Sequence, residues 1–504
     1  MSGIADLAKI ADGLAFGIPG GGASLEVADA VERQGGRFHT TRFEGSAALM
    51  AGAVGRLRGS PGVAVSIKGP GLANLAAGLA TAWLEDLPVV AIAEAFGKSE
   101  VAARMHKRLD HSSLVGAITK GRCGIDDSAG VARLASLAAA ERPGPVLIEL
   151  SDTASYFPPS AALAPRDTDA VLRAIEGAQR PVVVAGGLAA RRGLSDALNS
   201  LSVPVFSTAG AKGVVDETRP YAAGVYTGVG RELAPEHAII ADADLVVGIG
   251  LRTHEVLAAG LPVPFINVDD LDAAPGFSLS AVAPIDAAPR ILAGLRESAN
   301  WGRSEIAGSR DRMRTALLDG PFLPAQVFAA LAEQLPRCSM VLDTGFFCTI
   351  GEHIWEVSAP ELYLSSGQGR SMGAALPMAV AAALYRPEVP TVLAIGDGGI
   401  GMFMTELTLA VTERLPLLVL FLSDGTYASV RDRAVWRGLA QRPLISPDLN
   451  WIEIASGIGF AADRVATAAD VSRFVQRWNG AGPAFLDVRF DPEPYRTMTT
   501  KLRA

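Results

Sequence analysis

A chain of 504 residues is longer than one ordinary core can organise, so two to four domains are expected. Its 49% apolar and 19% charged residues suit a compactly folded enzyme and exclude a disordered chain. The net charge of −8, with no basic stripe, argues against a nucleic acid partner.

Three scattered cysteines (Cys123, Cys338, Cys348) form no CxxC pair, which points to a reducing compartment and no disulfide framework. The start, "MSGIADLAKIADGLAFGIPGGG", has no basic stretch ahead of a long apolar core, so no signal peptide is expected. No window approaches about 18 uninterrupted apolar residues, so no membrane span is expected either. A cytoplasmic protein is the reading that follows.

In chain order, short Val/Ile/Leu runs alternate with Ala-rich helical stretches. "GVAVSIKGPG" and "LPVVAIAEA" fall in residues 1–155, "RPVVVAGG", "ADLVVGIG" and "VPFINVDD" in 165–300, and "TVLAIGDGG" and "LPLLVLFLSDG" in 315–504. Continuous apolar runs closed by Gly, Asp or Asn read as parallel strands covered on both faces. The expected fold is α/β, with three doubly wound parallel-sheet domains joined by right-handed crossovers. The joints are expected at the Pro/Ser/Ala-rich Ser151–Asp167 and the charged Arg296–Arg314. The first and last thirds share a plan, a GPG or GDG turn after a strand and then a helix, as an ancient duplication would leave.

The runs ending "AIGDGG" and "FLSDGTY" each deliver an aspartate to a strand end, Asp397 and Asp424, 27 positions apart. Ligands in parallel sheets sit beyond the carboxyl ends of the strands, near the N–H groups of the following helices. Gly396, Gly398 and Gly399 allow close approach of an anion there. Two oxygen donors and a carbonyl, with diphosphate oxygens and water, meet the needs of Mg²⁺. For a single Asp-Gly, a helix cap or turn is the simpler account.

This pattern resembles the thiamine-diphosphate-dependent decarboxylase and acetolactate-synthase superfamily, whose motif is GDG, a spacer, then Asn. Here Asp424 stands where the family usually has its ligand Asn. The resemblance implies Asp397, Asp424 and the Thr426 carbonyl as metal ligands. "TTRFEGSAALMAGAVGRLRG" is similar to the family's HE-x-x-A-x-x-MA segment and puts Glu44 in the place of the catalytic glutamate that hydrogen-bonds the pyrimidine N1′. A first-turn glutamate also suits a helix dipole. "GPGLAN" follows, with Gly69 and Asn74 as cofactor contacts. "FGIPGGGASLEVADAV" resembles the segment lying near the thiazolium, so Gly20, Gly21 and Gly22 face cofactor or substrate; a plain strand-to-helix turn accounts for them equally.

"LSSGQGRSMGAALPMAVAAAL" looks like the family's G-x-M-G-x-x-LP segment. Met372 is then the wedge that bends the cofactor, and Arg370 offers its backbone carbonyl to the exocyclic amine. "LDTGFFCTIGEHIW" stands at the diphosphate loop, with Thr344, Gly345, Cys348 and Thr349 as candidates, and Tyr427 completes the cofactor contacts. "VRDRAVWRG" roofs the pocket with Val430, Arg431, Arg433 and Trp436, which could equally serve an interface. His39, His106 and His111 are near Glu44 in sequence. His106 and His111 are pocket candidates, although isolated histidines more often lie on the surface or satisfied in the core.

The resemblance implies thiamine diphosphate and Mg²⁺ as cofactors, a 2-oxo acid or similar carbonyl substrate, and a homodimer or homotetramer with sites at the subunit interface. The reaction it implies is decarboxylation with carboligation. Alternatives are simple decarboxylation or C–C lyase or hydrolase chemistry, and a catalytically silent relative. A nicotinamide oxidoreductase is disfavoured because no G-x-G-x-x-G follows the first strand. FAD or ADP in the middle domain stays open, since lone Gly pairs after strands are weak markers.

Overall fold

The computed structural model describes residues 2–97, 106–158, 166–272, 274–298, 300–320 and 322–503. Three six-stranded, all-parallel sheets carry the fold. The first contains β1 (Leu14–Gly17), β2 (Arg37–Thr40), β3 (Gly62–Ser66), β4 (Val89–Glu94), β5 (Arg122–Gly124) and β6 (Val146–Leu150). The second contains β7 (Pro181–Ala185), β8 (Val205–Ser207), β9 (Ala222–Val225), β10 (Leu245–Ile249), β11 (Phe265–Val268) and β12 (Leu279–Ala283). The third contains β13 (Ser339–Leu342), β14 (Tyr363–Ser365), β15 (Thr391–Gly396), β16 (Leu417–Ser423), β17 (Ala461–Val465) and β18 (Ala484–Arg489).

The strand orders are β2-β1-β3-β4-β6-β5, β12-β11-β10-β7-β8-β9 and β14-β13-β15-β16-β18-β17. The first and last sheets therefore share one connectivity, as their common sequence plan requires, and the middle sheet differs. In each sheet the connections lead outward in opposite directions from one pair of neighbouring strands, β1/β3, β7/β10 and β13/β15. The crevice beyond the strand ends at such a point is where open α/β sheets bind ligands.

The central strands are buried along their whole length, β16 from Leu417 to Ser423 and β4 from Val89 to Glu94. That is why they read as unbroken apolar runs. Helix Glu44–Arg58 is buried from Glu44 to Gly55 and stops at Gly59, whose φ of 74° is left-handed. It lies between helix Pro70–Leu84 and helix Ala375–Tyr385 of the last sheet's unit, and one apolar core includes all three helices. Small residues permit this close packing: a Cβ on Gly78 would strike the carbonyl oxygen of Gly45. The first and last units are thus packed together within one chain, and Glu44 stands on a helix with almost no freedom to shift.

Candidate active site

β15 and β16 are neighbours in register, with Gly396 opposite Leu422. The residues that follow, Asp397 and Asp424, therefore leave the sheet at the same edge. Asp397 opens helix Asp397–Phe403, accepting from the Ser423 hydroxyl at 2.8 Å and the Gly425 N–H at 3.2 Å. Asp424 accepts from both the N–H and the hydroxyl of Thr426 at 2.9 Å. Two hydrogen bonds tether this loop, Tyr427 N–H to the Leu444 carbonyl and Ser446 N–H to the Gly425 carbonyl, both 2.9 Å. Burial pushes the Asp424 carboxyl up to about 6, and the charge of Asp397 adds to that effect. Burial raises Asp397 as well. Two half-buried acids, both raised by desolvation and one raised further by the other, are a donor set at a strand edge that a divalent cation would relieve.

The glycines around them leave room for a ligand. A Cβ on Gly398 would meet Met372 Sδ and the Tyr427 ring, and one on Gly399 would overlap the Asp343 carboxylate. Thr344, Gly345, Met372, Gly396, Gly398, Gly399, Thr426, Tyr427 and Val430 line one cleft with both aspartates. Arg370 has φ of 50°, a left-handed backbone rare for arginine, in the loop that presents Met372. The first unit steadies this loop. Glu85 accepts from the N–H groups of Gly369 (2.7 Å) and Gln368 (3.2 Å), and Thr81 donates to the Ser371 hydroxyl (3.0 Å). Asp343, at the end of β13, accepts the Gly373 N–H at 2.9 Å.

At the carboxyl edge of the first sheet, Glu44 is 8% exposed and accepts from Asn74 Nδ2 at 3.0 Å. Gly71 lies against its other oxygen. Gly69 takes φ of 63°, where a Cβ would collide with the Lys107 carbonyl oxygen. The Gly20 N–H is bound to Ser24 Oγ at 2.8 Å within its own turn. Gly21 is exposed, and Gly22 is exposed beside the Glu94 carboxylate. Among the described residues no part of the first unit lines the Asp397–Asp424 cleft of the same chain.

Several candidates stand elsewhere. His111 accepts the Gly69 N–H on Nε2 (3.0 Å), so its Nδ1–H donates to Glu149 (2.7 Å). With both nitrogens engaged and the ring buried, it braces the GPG loop instead of facing a substrate. His106 is exposed on a turn, and residues 98–105 before it lie outside the described residues. Thr349 and Cys348 are buried, and the Thr349 hydroxyl is bound by Arg503, so Thr349 borders a neighbouring cavity and not the Asp397–Asp424 cleft. Trp436 is 80% exposed, and Arg431 bonds Gln441 at 3.3 Å.

Sequence reasoning missed Asp343, Ser423 and the network in which buried Glu94 accepts from Ser24 (2.6 Å) and Lys68 (2.9 Å) next to the Gly20–Gly22 turn. Asp343 did carry a signal, an aspartate closing the apolar run "MVLD" as in the other two strands.

At the middle sheet's crevice the chain's own side chains bond the backbone. Glu255 accepts the Gly187 N–H (2.9 Å) and the Thr208 hydroxyl (2.6 Å) at the start of the helix after β7. Arg252, fully buried, holds Asp269 through two hydrogen bonds of 2.8 and 3.0 Å. A cavity of about 570 Å³ opens next to these contacts, bordered by Gly187, Ala190, Arg191 and Gly210.

The fold and the last cleft together define an α/β protein with a glycine-lined cleft that carries two carboxylates beyond the carboxyl ends of its strands. Residues 5–114, 168–273 and 343–488 match, respectively, the N-terminal TPP binding domain, the central domain and the C-terminal TPP binding domain of thiamine pyrophosphate enzymes. The chain belongs to this thiamine-pyrophosphate-dependent, acetolactate-synthase-like superfamily. It is similar to the acetolactate synthase of Bacillus subtilis, 28% identical over 94% of this chain and 90% of that protein. It is 25% identical to the chloroplastic acetolactate synthase of Arabidopsis thaliana, over 94% of this chain and 78% of that one. A probable 2-ketoarginine decarboxylase of Pseudomonas aeruginosa is 29% identical over 83% of this chain and 80% of its own length. Among the described residues no helix is long and apolar enough to cross a membrane.

Proposed function

We propose that the protein decarboxylates a 2-oxo acid and joins the resulting carbon unit to a second carbonyl compound, using thiamine diphosphate and Mg²⁺. The observation that carries this reading is the meeting, in one cleft, of two half-buried carboxylates, a glycine cradle and Met372. Asp397, Asp424 and the Thr426 carbonyl are the oxygen donors for the cation. The cradle of Gly396, Gly398 and Gly399, with Thr344 and Gly345, receives the diphosphate. Bound thiamine diphosphate supplies a carbanion nucleophile and an electron sink for the carbon that loses CO₂.

The remaining work belongs to the chain. Glu44 holds a proton at the cofactor's pyrimidine nitrogen and is oriented for it by Asn74 and by the rigid helix it begins. Met372, set between Gly398 and Gly373, fixes the bend of the bound group. Asp343 and Glu85 lock the loop that carries Met372 and Arg370, so the geometry is prepared before binding.

Glu44 lies outside the metal cleft of its own chain, and this supports a site shared between subunits. A homodimer is then the smallest active unit, with the first unit of one subunit facing the last unit of its partner. The test is CO₂ release from pyruvate and other 2-oxo acids by purified protein, with and without thiamine diphosphate and Mg²⁺. Release that depends on both supports the reading, and equal turnover by the cofactor-free protein contradicts it.

A further inference from the structure

We propose that the substrate carries a second anionic group, and that an arginine-lined pocket beside the metal cleft receives it. The inference rests on the thiamine-dependent reading above and names the substrate class for that site.

A pocket of about 640 Å³ adjoins the metal cleft along Thr344, Gly345, Phe346 and Ser429. This is the size of a small-molecule site. Four arginines from four separate segments border it: Arg231 from the middle unit, Arg370 from the Met372 loop, Arg433 from helix Ala428–Trp436, and Arg503 after the last helix.

Their charges are incompletely answered. Glu352, buried, lies 2.7 Å from Arg503 and 3.8 Å from Arg370, so one carboxylate serves two guanidinium groups. Arg370 Nε is buried with no acceptor, and its Nη1 meets the Cys348 sulfur at 3.6 Å. Burial pushes the Cys348 thiol up, so that neighbour is uncharged at neutral pH. Among the described residues the Arg231 guanidinium has only the Thr500 carbonyl, at 3.5 Å. The Arg433 side chain has no hydrogen bond or ion pair among the described residues. Asp432, the acid that lines the pocket itself, is 3.6 Å from Arg496. Four positive groups thus face two carboxylates, one of them shared with a fifth arginine.

Thr344, Thr349, Ser429, Thr499 and Thr500 add hydroxyl or backbone groups around the cations. Guanidinium forks of this kind recognise carboxylate, sulfonate or phosphate oxygens in pairs. None of the four arginines borders the metal cleft itself, where Asp397 and Asp424 stand. The cations are therefore placed for a group extending away from the reacting carbonyl.

The experiment compares holoenzyme kcat/KM for 2-oxoglutarate (a second carboxylate) and sulfopyruvate (a sulfonate) with that for 2-oxopentanoate, whose tail is neutral. The same panel is run on an R231Q/R433Q variant, with thiamine diphosphate affinity measured calorimetrically for both proteins. The expected result is at least a roughly ten-fold preference for a dianionic substrate, lost in the variant through KM, with coenzyme affinity unchanged. Which dianion is preferred separates planar from tetrahedral anions. Equal turnover of the neutral substrate, or a variant that loses coenzyme affinity instead, overturns the proposal. If no 2-oxo acid is turned over, the functional reading fails separately. In that case, calorimetric binding of 2-oxoglutarate that the variant loses upholds the pocket, and no binding to either protein overturns it.

Discussion

Asp343 offers a test of how the site is built that needs no substrate. It is buried beneath the Gly398–Gly399 turn and accepts the Gly373 N–H, so it ties the GDG loop to the loop carrying Met372. Burial pushes its carboxyl from 3.8 up to about 7, against the opposing pull of backbone N–H groups. The folded protein then keeps a proton on Asp343 that the unfolded chain releases above about pH 4. The stability this contributes is fully present below about pH 4 and is lost as pH rises towards 7. A shift of about 3 units corresponds to roughly 4 kcal/mol, since each unit is worth about 1.4 kcal/mol. For a unit of this size, 1 kcal/mol moves the unfolding midpoint by about 2–4 °C, so the swing is on the order of 10 °C. Asp343→Asn keeps an oxygen acceptor for Gly373 and cannot ionise. In thermal unfolding of the cofactor-free protein followed by circular dichroism, D343N and wild type should melt together near pH 4.5. Near pH 7.5 the variant should melt on the order of 10 °C higher. Parallel curves across this range would refute the argument and mean that the N–H bonds outweigh burial.

The other predictions concern individual residues. Glu44→Gln should bind thiamine diphosphate with unchanged affinity yet slow exchange of the coenzyme's C2 proton by about 10²–10⁴-fold, read by proton NMR. Asp397→Asn should weaken Mg²⁺ binding by at least about ten-fold in calorimetry, because one of two anionic ligands is lost. Met372→Ala should keep the coenzyme bound and lower kcat about ten-fold or more, since the bent geometry is no longer enforced. His353 is half-buried, donates from Nδ1 to the Thr349 carbonyl at 2.7 Å, and is held down at about 4 by desolvation. Because its folded pKa is depressed below 6.5, stability should fall by up to about 3 kcal/mol as pH drops from 6.5 through 4. His353→Gln should flatten that loss in acid unfolding curves.

The α/β class and the arrival of Asp397 and Asp424 at one sheet edge were legible because each depends on local pattern, an unbroken apolar strand ended by Asp-Gly. Glu44 was legible for a similar reason, standing at the head of a small-residue helix followed by GPG at a set distance. What escaped depends on contacts between distant segments. His111 braces Gly69 from 42 positions away, and Arg503 reaches Glu352 across 151 positions. Glu255, in the middle crevice, is 68 positions from the Gly187 N–H that it accepts. Periodicity and turn chemistry contain no trace of such pairings, because tertiary packing alone brings them together. The left-handed Arg370 is similar: nothing in its residue type announces a backbone that usually calls for glycine.

The central claim is that Glu44 and the Asp397–Asp424 pair act on one coenzyme from two different subunits. Subunit complementation tests it most directly. Inactive E44Q and inactive D397N proteins are mixed, dissociated, reassociated and assayed with saturating thiamine diphosphate and Mg²⁺. In mixed dimers, one of the two sites regains both native groups, so about a quarter of wild-type activity should return. A mixture that stays as inactive as either parent, with mixed dimers demonstrably formed, would contradict the account.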